Sequence, residues 1–195
     1  RAVGPLFAAW GGHEGRQRRP YAADLELVRL ALLAGDAEVL RACAGDALQG
    51  LVRGHEHARA VAMGEAVIAR LEGEGVPLLV LVFTAEAFEM TGEGARADAM
   101  LDKAGARARM TPDDGDDADD LAALSAFLFR LGRRQQRAGD SDAALATFER
   151  LCDVQRRRND EHQLAVARGA IADILTRRGE LDEALRIYRE EVLPV

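Results

Sequence analysis

Of the 195 residues, 48% are hydrophobic but only 5% aromatic, so a core must come from many thin Ala and Leu contacts and not from one aromatic-rich centre. The 33 acidic side chains outnumber 26 basic ones, and the net charge of −7 argues against a nucleic-acid partner held through its phosphates. The longest apolar run, Val76 to Phe83, stops at Thr84 and Glu86, short of the roughly 20 residues needed to cross a bilayer; with nothing like a signal peptide either, a cytoplasmic address without membrane contact is expected.

In chain order, residues 1–20 mix glycines with Phe7, Trp10 and the basic Arg16, Arg18 and Arg19, and show no sustained period. They read as a tail or linker; a sharper reading makes Phe7 and Trp10 an anchor that covers the first helical hairpin. From Tyr21 the spacing predicts helices over 22–34, 37–53, 56–73, 76–91, 94–109, 119–138, 141–157, 160–178 and 181–192. Pro77 suits a first helical turn, and Asp140 and Glu180 follow turn glycines where negative charge meets a helix N-terminus. An odd number of helices gives one starter helix and four hairpins, over units of about 37–73, 76–109, 119–157 and 160–195, with residues 21–195 forming one elongated domain.

The acidic stretch at 111–120 lies between the second and third units and reads as an inserted loop in the long interval from Gly92 to Gly139. Its six aspartates, Asp113, Asp114, Asp116, Asp117, Asp119 and Asp120, lack the spaced ligands, glycine and terminal glutamate of a calcium loop, and read as a hydrated cap on the next helix. His55 and His57, two apart on a helix, would point about 200° from one another, the wrong geometry for a shared metal. Neither His13 nor His162 has a partner arranged by sequence, and Ser125 and Ser141 lie in no nucleophile motif. No enzyme activity, metal or cofactor is expected. Cys43 and Cys152 fall in separate helical units and read as reduced core residues.

Glycines Gly54, Gly92, Gly139 and Gly179 each end one helical run and open another, and forty residues separate the last two. Small residues follow five positions on (Ala97, Ala144, Ala184) and large ones four further (Leu101, Phe148, Tyr188); upstream come Thr84-Ala85, Leu131-Gly132 and Ile171-Ala172. Small residues let helices approach, large ones fill the gap, and glycine supplies the turn. Stripes Leu124, Leu128, Leu131 and Leu164, Ile171, Leu175 should bury against Leu145, Phe148, Leu151 or Leu185, Tyr188. The pattern resembles the tetratricopeptide repeat (TPR) family, in the longer-period form found in large bacterial multidomain proteins. Residues Ile171 to Tyr188 carry it best, Leu131 to Phe148 next, then Leu81 to Ala104 and Leu40 to Ala66, about three quarters of the chain in all. Where the family has Trp or Tyr in the first helix, this chain has Leu81, Leu128 and Arg168.

The resemblance implies an all-α, right-handed αα-superhelix, a TPR-like solenoid of about four hairpins plus an N-terminal helix, whose first helices line a concave face. That wall would carry Leu79, Val82, Glu86, Glu89 and Met90; then Ala126, Phe129, Arg133, Gln136 and Arg137; then Gly169, Asp173, Thr176 and Arg177. It would suit an extended protein or peptide segment with a carboxylate or phosphate near Arg133, Arg137 and Arg177 and an apolar anchor near Val82 and Phe129. The function expected is a protein-protein interaction module or scaffold. The alternative is a sensor or autoinhibitory arm of a larger bacterial signalling or defence protein, a nucleotide-switch ATPase or a protease, that acts by intramolecular packing. A start at Arg1 without methionine fits a piece of such a protein. The last helix, with Leu185, Tyr188 and Val192, has no following hairpin, so self-association or continuation of the array through that end is expected.

Overall fold

A computed structural model describes residues 3–15, 19–72, 75–110 and 117–194. Among them every regular element is a helix: α1 (Val3–Ala9), α2 (Tyr21–Ala34), α3 (Ala37–Arg53), α4 (His57–Leu71), α5 (Leu78–Met90), α6 (Gly94–Ala108), α7 (Ala118–Arg137), α8 (Ser141–Arg157), α9 (Glu161–Arg178) and α10 (Leu181–Ile187), the last running into a π-helical turn over Tyr188–Val192. The chain forms two compact units, Arg1–Arg107 and Ala108–Val195; in the first, α1 packs on α2, α2 on α3, α3 on α4 and α4 on α5. Within the segment assigned to a tail, α1 is a helix of the first unit.

Helices follow one another through a recurring junction. A residue in the left-handed region ends the helix, and the next residue, always Asp or Glu, sends its N–H to the carbonyl five positions back: Asp36 to Ala31, Glu56 to Leu51, Glu93 to Phe88, Asp140 to Gln135, Asp160 to Gln155 and Glu180 to Leu175, at 2.8–3.1 Å. That bond satisfies a carbonyl the helix leaves open and reverses the chain. The acidic residue then starts the next helix. Asp36, Asp140 and Asp160 accept the N–H three residues on, whereas Glu56 and Glu180 make no such side-chain bond. Three of the glycines singled out, Gly92, Gly139 and Gly179, hold the left-handed place. Gly54 does not. Its φ is −79°, and His55 takes the left-handed conformation at φ 59°, so the sequence reading is one residue out there.

In the first unit α1 packs on α2 and α3, burying Val3 and Phe7 in a core with Leu27, Val28, Leu40, Leu48 and Leu51. Phe7 therefore anchors as the sharper reading supposed, while Trp10 stays 38% exposed. Beside it Arg19 forms a buried ion pair with Asp24 at 2.6 Å, the side chains 2% and 6% exposed, and donates to the Gly12 carbonyl at 2.9 Å. The guanidinium also lies 5.2 Å over the Phe7 ring. This ties residues ahead of α2 to the core.

The second unit stacks α7 on α8, α8 on α9 and α9 on α10. Phe148 of α8 is fully buried against Gly132 of α7, where an added Cβ would stand 2.7 Å from its ring. The expected stripes hold for Leu124, Leu128, Ile171, Leu175, Phe148 and Leu151, all buried; Leu131, Leu145, Leu164 and Tyr188 are half-buried. Leu185 is exposed. The buried Gln155 amide is satisfied in place: it donates to Ser125 Oγ at 2.7 Å and accepts from Arg158 at 2.8 Å. Cys43 and Cys152 are buried thiols, neither of them in a disulfide, and burial pushes the Cys152 thiol above its usual range. Of the acidic stretch, Asp113, Asp114 and Asp116 lie outside the described residues. Asp117 caps α7, accepting from Asp119 N at 2.9 Å and Asp120 N at 3.1 Å.

The junction geometry separates glycines that look alike in sequence. At Gly139 an added Cβ meets nothing within 4 Å, so Gly139→Ala pays only for its left-handed backbone, about 1–2 kcal/mol. Gly54→Ala, at an ordinary φ though with its added Cβ 3.3 Å from the Gly50 carbonyl oxygen, should cost less than Gly139→Ala, and His55→Gly should gain about 1 kcal/mol. Urea unfolding of the three variants measures this; equal losses at Gly54 and Gly139 contradict it.

Candidate functional site

The residues expected on one wall are divided between the two units. In the first unit they lie on α5, which packs on α3 and α4. The helix is apolar around most of its circumference and buries Leu78, Val80 to Ala85, Ala87 and Phe88. Val82 is fully buried, so the apolar anchor expected there is core and offers no contact to a partner. Leu79 is half-buried against Gly45 of α3. Glu86 and Glu89 are half-buried, and Met90 is 57% exposed at the helix end. An i, i+3, i+4 count cannot separate two faces of a helix that is apolar on nearly all sides.

In the second unit the expected residues stand on α7 and α9. Phe129 is half-buried, its ring edge-on to Phe148 with centroids 6.2 Å apart. The guanidinium of Arg133 lies 5.4 Å from the Phe129 ring centre and that of Arg130 5.7 Å from it. Arg133 also donates to Gln136 Oε1 at 3.1 Å, so ring, guanidinium and amide form one connected patch. Arg133 and Arg137 are exposed, Gln136 half-buried. Spacing missed Arg130, because neighbours in sequence are read onto different sides of a helix, yet an arginine is long enough to reach back over the adjacent ring.

On α9, Arg177 is exposed and donates its Nε–H to the main-chain carbonyl of Asp173 at 3.2 Å. The Asp173 carboxylate accepts the Tyr188 hydroxyl proton. That hydrogen bond, and secondarily burial, holds the Tyr188 phenol above the ordinary tyrosine range. The sequence reading placed Tyr188 only as packing for α9; its polar end becomes meaningful once the hairpin sets it opposite Asp173. Among the described residues Asp173 forms no ion pair with an arginine, so it does not neutralise the arginines of this face.

Elsewhere, His55 stands in the turn ahead of α4 and its ring meets that of His57 edge-on, centroids 5.8 Å apart. The expectation that a helix points them apart fails, because only His57 is helical. Among the described residues no group of three or more His, Cys, Asp or Glu side chains gathers as metal ligands, and no helix is long and apolar enough to cross a membrane. No family model, curated protein or solved structure matches the chain.

The Tyr188–Asp173 bond gives a signed pH dependence. A phenol whose folded pKa is raised contributes stability that is complete below its unfolded value of about 10 and disappears as pH climbs through the folded one. In a Tyr21→Phe background Tyr188 is the remaining tyrosine, and near-ultraviolet titration should place its ionisation above ~10. Adding Asp173→Asn should return it toward that value. An ordinary midpoint in both proteins refutes the bond.

Proposed function

We propose that the chain is a protein-interaction module of TPR-like helical hairpins wound into a right-handed superhelix, which holds an acidic, extended segment of a partner protein. The single observation that supports this reading is the patch on the second unit: exposed Arg133 and Arg137 beside a half-buried Phe129 on α7. Arginine forks match carboxylates in pairs, and an aromatic ring offers apolar contact at low conformational cost. Arg133 meets only the neutral Gln136 amide and the Phe129 ring, and Asp173 on α9 is engaged by the Tyr188 phenol. The TPR-like reading draws support from burial. The recurring small positions Ala97, Ala144 and Ala184 are all buried, as are Leu101 and Phe148.

The proposal predicts that a fluorescent peptide alternating Glu with Leu or Phe binds the chain in low salt. Binding should weaken as salt is added, since exposed charges are screened beyond about 10 Å at 0.1 M. Arg133→Glu combined with Arg137→Glu should lower affinity by about tenfold or more with the helical circular-dichroism signal unchanged. Equal anisotropy curves for parent and double variant would defeat the reading, and a peptide with Gln in place of Glu serves as the uncharged control.

A further inference from the structure

Forty residues relate α8 to α10, and the two helices meet different fates. On α8, packed between α7 and α9, Phe148 is fully buried and Cys152 is 1% exposed. On α10, packed on α9, the equivalent Tyr188 and Val192 are only half-buried, and the stripe begins with Leu181 and Leu185, 55% and 49% exposed. An apolar stripe at four- and three-residue spacing, Leu181, Leu185, Tyr188, is the pattern that seeks another helix.

The charges along this stretch identify that helix. Arg186 pairs with Glu183 at 2.7 Å, Glu190 at 3.2 Å and Glu191 at 3.1 Å, and Glu191 also pairs with Arg168 at 2.9 Å. Two charges between Leu181 and Val192 have no partner among the described residues, Asp182 and Arg189, both exposed. They are opposite in sign and seven apart, on the same side of the helix, and each borders the apolar stripe.

We propose that this face pairs with a second copy of the same chain, α10 against α10, antiparallel about a two-fold axis through Leu185. In that arrangement Leu185 meets its own symmetry mate and Leu181 meets Tyr188 of the other copy. Asp182 meets Arg189 twice over, once on each side of the axis. In a parallel pairing the two-fold axis runs along the helices and puts the two copies of each charge on opposite flanks of the stripe, so only the antiparallel pairing brings Asp182 to Arg189. Two such short helices bury less than a standard interface, and the association is weak, with a dissociation constant on the order of 0.1–1 mM.

Sedimentation equilibrium of the chain, from about 10 µM to about 1 mM, tests this across the expected range. The apparent mass should rise toward twice the monomer mass. Leu185→Glu should hold it at the monomer value with an unchanged helical signal, because Leu185 is half exposed and not core. Asp182→Arg alone and Arg189→Asp alone should each weaken association at least tenfold, while the two together restore it. A parent chain that stays monomeric throughout, as it would if another protein covers this face, overturns the proposal. So does a charge swap that fails to rescue.

Discussion

The architecture depends on how the backbone leaves one helix and enters the next. At six places a left-handed residue lets the following N–H reach a carbonyl five positions back, closing the helix end and turning the chain on itself within three residues. In the second unit these residues are Gly139, Asn159 and Gly179, and their twenty-residue spacing sets helix length and pairing together. A junction this short leaves the next helix little choice but to pack antiparallel on the previous one. Each acidic residue that follows serves the incoming helix, through a side-chain cap where it is Asp and through its charge at the N-terminus where it is Glu.

With direction fixed by the junctions, packing is decided by side-chain size. Gly132 gives Phe148 room to lie on α7, and the small residues at Ala144, Ala172 and Ala184 are buried for the same reason. The surface follows a different economy. Many arginines pair with an acidic residue three positions earlier on the same helix, as in Arg29–Glu26, Arg156–Asp153 and Arg186–Glu183. Exposed pairs of this kind add little to helix stability, because water screens them. They do quiet most of the surface charge locally. What stands out against that background is charge that the helices do not neutralise themselves, at Arg133 beside Phe129 and at Asp182 and Arg189 beside Leu185.

These two features belong to one physical situation. A helical pair hides its greasy stripes against its neighbours, and a helix with a neighbour on one side only must leave part of its stripe in water. The buried Phe148 and the half-buried Tyr188 are the same position under those two conditions. Tyrosine is suited to the second, since its ring covers apolar surface while its hydroxyl reaches Asp173.

The sequence by itself determined the helices from Tyr21 onward to within one or two residues, because polar junctions and helical spacing are local properties of the chain. It also determined the buried positions at Ala144, Phe148, Ile171 and Leu175, whose recurrence marks them. Tertiary structure alone decided which residue of Gly54-His55 turns the chain, since either side of that pair can close the hydrogen bond. It decided that α1 is part of a core, because Phe7 and Arg19 have no periodic neighbours and find their places only against α2 and α3. It also took Val82 out of the candidate surface, because α5 packs on both α3 and α4 and its spacing carries no sign of which side faces water.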